Sequence, residues 1–129
     1  MEELKNSNPD LIVLAGFMRI LTPLMIEAFK NKIINIHPSL LPKYPGLDTH
    51  NSVIKNGDLK HGITIHFVNE VLDGGQIIAQ GEISVNANET LEELKTRIHA
   101  IEHVMLPKVV SQFADGTINT KRVIYEKFK

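Results

Sequence analysis

The sequence has no cysteine and no tryptophan among its 129 residues. Without thiols there can be no disulfide, no thiolate nucleophile and no cysteine-based zinc site, and the absence suits a reducing compartment. Aromatic residues are sparse at 5%, and 14 Lys and Arg are offset by 15 Asp and Glu for a net charge of -1. Duplex phosphates need concentrated basic side chains, so a dedicated nucleic-acid binder is excluded. No run approaches the roughly 20 apolar residues of a membrane span, and Met1-Glu2-Glu3-Leu4-Lys5 lacks the basic-then-apolar order of a signal peptide. The expectation is a cytoplasmic protein with no membrane or nucleic-acid partner. Any chemistry must come from His, Asp, Glu, Asn, Ser or Lys.

Hydrophobic residues at 43% and charged ones at 22% are ordinary for a globular chain, and the length suits one domain over residues 1–129. No repeat, low-complexity tract or linker interrupts it. Glu2 to Lys5 reads as a helical stub stopped by Asn8-Pro9-Asp10. Leu11-Ile12-Val13-Leu14-Ala15 is a continuous apolar run ending at Gly16, the pattern of a parallel strand covered on both faces. Thr22-Pro23 opens a short helix to about Lys30, and Ile33 to His37 is a second strand. The loop after it holds Pro38, Pro42 and Pro45, half of the six prolines. A short helix near Asn51 to Asn56 precedes the alternation Ile63, Ile65, Phe67 against Thr64 and His66, a strand with one polar face. Leu72-Asp73-Gly74-Gly75 turns into Gln76 to Val85, which predicts an antiparallel pair. Thr90-Leu91-Glu92-Glu93 is a capping box for the longest helix, which Pro107 should kink or interrupt before Asp115-Gly116 ends it. Lys121 to Lys129 is a charged tail with a possible short strand around Val123 to Tyr125. The sum is an α/β layered domain whose first strand wants a neighbour, so a homo-oligomer or a partner covering Leu11 to Ala15 is expected.

Asn35 and His37 alternate at the carboxyl end of an apolar strand and so share one face, where open α/β sheets place their sites. They could equally cap the strand and tie down the proline loop, and Asp73 could be no more than the Asp of an Asp-Gly turn. Taken together, an amide donor, an imidazole and a carboxylate suit addition to a carbonyl, steadying the oxyanion and moving protons. His99-Ala100-Ile101-Glu102-His103 matches H-x-x-E-H, a short zinc pattern that still lacks a third ligand. His50, His61 and His66 read as lone histidines, and Phe17 to Leu21 as either a pocket wall or core. No phosphate-binding glycine motif and no nucleophile elbow is present.

Leu14-Ala15-Gly16-Phe17-Met18-Arg19-Ile20-Leu21, the run Asn35 to Gly46 (NIHPSLLPKYPG) and Leu72-Asp73-Gly74-Gly75 resemble the phosphoribosylglycinamide formyltransferase family. The likeness runs over residues 9–116 and leaves 117–129 as a tail. It implies a formyltransferase-like layered sheet, parallel strands plus an antiparallel pair, flanked by helices. It also implies transfer of a formyl group from 10-formyltetrahydrofolate, without a metal, to the amine of glycinamide ribonucleotide. By resemblance Asn35 bonds the oxyanion, His37 is a charged stabiliser and proton partner, and Asp73 holds His37. Arg19, Ile20 and Leu21, with the loop of Val68, Asn69, Glu70 and Asp73, would hold the folate. Met18 and Glu102 would contact the nucleotide, with Ser39, His50, Thr64 and His66 in support.

The departures set the alternatives. Members of the family begin with a nucleotide-binding half that this sequence does not show, so the resemblance implies a fold truncated at its N-terminus. Asp48 stands where the family often has histidine or asparagine, which changes the local charge. A non-catalytic or partner-dependent folate-binding fragment, or a formyltetrahydrofolate hydrolase, are the other readings.

Overall fold

The apolar runs pair into one five-stranded mixed sheet. A computed structural model of the chain describes residues 11–15, 23–69, 74–119 and 121–129. Strand β1 (Ile12–Ala15) leads through helix α1 (Pro23–Ala28) to β2 (Ile33–His37), which lies parallel to it with Ile12 opposite Ile33. Helix α2 (Thr49–Lys55) precedes β3 (Lys60–Phe67), which runs antiparallel to β2. Strand β4 (Ile77–Ser84) is antiparallel to β3, helix α3 (Leu91–Asp115) follows, and β5 (Ile124–Lys127) closes the sheet parallel to β4. The strand order is β1-β2-β3-β4-β5. The expected layered sheet, with parallel strands plus an antiparallel pair, is therefore what forms.

Alternation divides the sheet into two unlike faces. Ile34, Ile36, Ile63, Ile65, Ala79 and Ile83 pack with Leu94, Ile98, Ile101, Met105 and Val109 of α3 in one apolar core. The approach is close: a Cβ on Gly81 would lie 2.5 Å from Met105 Sδ and 2.8 Å from Ile101 Cγ2. The other face carries Asn35, His37, Thr64, His66 and Gln80. Cross-strand register sets Asn35 opposite His66, His37 opposite Thr64 and Thr64 opposite Gln80, making a polar strip across three strands. The β3/β4 register shifts between Ile65 and His66, beside this strip.

Several local expectations are corrected. Pro107 does not interrupt α3, which runs unbroken from the Thr90 capping box to Gly116 in the left-handed region. Proline removes the bond to the carbonyl four residues back, but Pro107 and His103 both lie on the exposed side, where water can serve that carbonyl. The second helix begins at Thr49, not Asn51. The tail strand joins the sheet as β5, held by a Tyr125 hydroxyl bond to Glu82 and a Lys108–Glu126 ion pair. The stub at Glu2 to Lys5 and the cap at Thr22 lie outside the described residues. His50 and His61 are not lone histidines, because His50 Nδ1 and His61 Nε2 lie 3.0 Å apart and tie α2 to β3.

Two outcomes follow for stability. A Cβ at Gly62 would fall 1.9 Å from the backbone oxygen of Gly81, which cannot move without breaking the β3/β4 ladder. Gly62→Ala should therefore cost about 2–3 kcal/mol in chemical denaturation, and a cost near zero would contradict the close approach. His61 is 1% exposed, and burial, then the facing His50, push its pKa from 6.5 down to about 4. The unfolded chain takes up a proton between these values that the folded chain refuses, so stability is complete above 6.5 and falls as pH drops towards 4. Urea titrations should show a loss of about 2 kcal/mol from pH 7 to pH 5. Replacing the ring in His61→Gln should flatten much of that slope, and an unchanged slope would assign it elsewhere.

Candidate active site

Strand β2 ends with its two polar side chains on one face, and each is held by a different device. His66 Nδ1 lies 2.8 Å from the Phe67 carbonyl oxygen, which can only accept, so Nδ1 carries the proton and Nε2 of the neutral ring is the acceptor. Asn35 Nδ2 reaches that Nε2 at 3.4 Å, a long bond that orients the amide and leaves its second N–H uncommitted. Asn35 is buried at 6% exposure, and its Oδ1 meets no hydrogen-bond donor among the described residues. His37 is completely buried and donates from Nε2 to the Tyr44 carbonyl at 2.8 Å.

The proline loop is folded onto this strip by Thr64. Its hydroxyl donates to the Ser39 carbonyl at 2.7 Å and accepts from Leu41 N and Gln80 Nε2, both at 3.0 Å. Gln80 Nε2 also reaches the Leu41 carbonyl at 2.9 Å. Ser39 Oγ donates to the Lys43 carbonyl and Thr49 Oγ1 to the Pro38 carbonyl, each at 2.6 Å. Gln80, Tyr44 and Thr49 did not stand out in the sequence. Only Gln80 carried a signal, since the alternation of β4 already puts it on the face opposite Ala79 and Gly81.

At the start of β2 and the end of β3 a groove of about 430 Å3 opens, lined by Ile26, Phe67, Val68, Asn69 and Gln76 together with Glu27 and Lys30. Its lining mixes the apolar Ile26, Phe67 and Val68 with amide and charged side chains. The structure thus brings together Asn35, His37, Ser39, Thr64 and His66, with Val68 and Asn69 at the groove. His50 is bonded to His61 instead, and its pKa is lowered by burial, then by Lys95 and His99. Glu102 is half-buried on α3; burial raises its pKa, and His99 and His103 partly oppose this. His99 and His103 are exposed, and among the described residues no group of three His, Asp or Glu converges as a metal site. Met18, Arg19, Ile20, Leu21, Glu70 and Asp73 lie outside the described residues.

Such a site, an oriented amide beside an imidazole of fixed tautomer, can stabilise charge on a carbonyl oxygen and pass a proton. The chain is similar in sequence and in structure to known formyltransferases. Phosphoribosylglycinamide formyltransferase of Escherichia coli is 48% identical over 110 residues, covering 85% of this chain and 52% of that protein. The crystal structure of phosphoribosylglycinamide formyltransferase from Anaplasma phagocytophilum aligns with a TM-score of 0.92 at 36% identity, over 99% of this chain and 68% of that one. The enzyme of that name from Coxiella burnetii aligns at 0.84 and 46% identity, over 89% and 54%. The chain spans about half the length of the bacterial curated relatives it matches. Residues 1–110 match the sequence model described as formyl transferase, and with that match over most of its length the chain belongs to the formyl transferase family.

Proposed function

We propose that the chain carries the formyl-transfer site of a phosphoribosylglycinamide formyltransferase, moving a formyl group from 10-formyltetrahydrofolate to the amine of glycinamide ribonucleotide. The observation that carries this reading is Asn35, a buried amide held by His66 with an N–H left over, in a chain of this family. Bound folate supplies the formyl carbon. The acceptor amine forms a bond to that carbon, the bond from the carbon to the folate nitrogen breaks, and one proton passes from the amine to that nitrogen. Asn35 donates to the formyl oxygen as negative charge grows there. His37 would act as a charged stabiliser that exchanges a proton at Nδ1, and Asp73 would pair with the charged ring and help relay the amine proton. Val68 and Asn69 at the groove support a folate site that Arg19, Ile20, Leu21 and Glu70 would complete. Met18 and Glu102 meet the nucleotide. A cytoplasmic setting suits the absence of cysteine, and among the described residues no helix is long and apolar enough to cross a membrane.

The edge of the sheet supports a partner. Strand β1 pairs on one side only within the described sheet, and Val13 is 38% exposed. A second chain, either a copy or one carrying a nucleotide-binding half, would cover it.

Formyl loss from 10-formyltetrahydrofolate should require glycinamide ribonucleotide and yield its formylated product. Formate released without the amine would assign a hydrolase, and folate binding with no turnover would leave a folate-binding fragment. In an active chain, His37→Ala and Asn35→Ala should each slow turnover by about a hundredfold or more with the fold retained by circular dichroism. Near-normal rates in either would remove that residue from the mechanism. Light scattering at tens of micromolar should show an assembly larger than one chain, whereas a monodisperse monomer would leave β1 uncovered.

A further inference from the structure

Tyr44 holds a backbone conformation that its side chain disfavours. Its φ is 51°, in the left-handed region that bulky residues rarely enter. Such a conformation persists only where surrounding contacts determine it, and both ends of this residue are engaged. Its carbonyl accepts from His37 Nε2 at 2.8 Å. Its hydroxyl donates to Asp58 Oδ2 at 2.6 Å and accepts from Asn56 Nδ2 at 2.9 Å. Asn56 and Asp58 are themselves fixed to the C-terminal end of α2, through Asn56 N to the Ser52 carbonyl and Asp58 N to the Val53 carbonyl. Lys43 Nζ, 3.9 Å from Asp58 Oδ2, adds a weak charge contact from the solvent side.

We infer that Tyr44, braced by Asp58 and Asn56, is a positioning residue that fixes which nitrogen of His37 exchanges protons. A backbone carbonyl can accept but never donate, so the bond to Tyr44 requires a proton on Nε2 in both the neutral and the charged ring. Exchange is thereby confined to Nδ1. An imidazole has two neutral tautomers, and moving the carbonyl from this place removes the acceptor that requires the proton on Nε2. The brace reaches from the far end of α2, so a hydroxyl at Tyr44 that never touches His37 controls its proton. The catalytic meaning of this device rests on the proposed formyl transfer, but the tautomer does not.

The test is the two-bond proton–nitrogen spectrum of the full chain labelled with 15N-histidine, recorded in mildly alkaline buffer, with the His37 signals identified by their loss in His37→Asn. The unaltered chain should show the Nε2–H tautomer alone. Tyr44→Phe, which removes the hydroxyl, and Asp58→Ala, which removes its acceptor, should each give a mixture and lower kcat by about five- to tenfold with little change in KM. An Nδ1–H tautomer in the unaltered chain, or an unmixed Nε2–H signal in both variants, overturns the inference. Mixed tautomers with unchanged kcat overturn its catalytic part. Mixed tautomers in a chain with no formyl transfer uphold the brace while rejecting the proposed function.

Discussion

The hydroxyl of Thr64 is the interaction on which the polar side of this molecule depends. Prolines at 38, 42 and 45 deprive the loop after β2 of amide donors, yet its carbonyls are pressed against a sheet where buried polar atoms must find partners. Thr64, fully buried on β3, meets that demand by donating to Ser39 and accepting from Leu41 and Gln80. Without it the loop would present unsatisfied groups to the strip rather than a shaped wall. The Tyr44 carbonyl that meets His37 Nε2 stands on the same loop, three residues beyond Leu41.

The two faces of the sheet divide the work. One is packed with isoleucine against α3, and the closeness of Gly81 to Met105 shows how little slack that interface has. The other carries amides, hydroxyls and imidazoles whose hydrogen-bond partners are nearly all satisfied internally. Rigidity on the apolar side gives the polar side fixed positions, which is what an oriented amide and a single tautomer require. Among the described residues Asn35 Oδ1 is a buried polar atom that meets no hydrogen-bond donor.

Much of this was legible along the chain because the signals were periodic. Alternation at Ile63, Ile65 and Phe67 identified β3 and its polar face, and the Thr90 capping box with Gly116 bounded α3. Asn35 and His37 could be placed on one face because two residues is one strand repeat. The misreadings have local causes. Pro107 is tolerated because its missing bond faces solvent, a fact about exposure rather than composition. His50 and His61 are 11 residues apart with no metal spacing, and only the packing of α2 on β3 makes them neighbours.

From the sequence alone came the element types, the strand alternation, the exclusion of thiol chemistry and the family resemblance, because each depends on residues near one another in the chain. Tertiary structure decided which polar groups meet. It set Gln80 beside Thr64 across β3 and β4, brought Asp58 to the Tyr44 hydroxyl, and paired Asn35 with His66 over 31 residues of separation. Hydrogen bonds of that kind depend on angles and distances of a few tenths of an ångström, which no local pattern encodes and only the closed fold supplies.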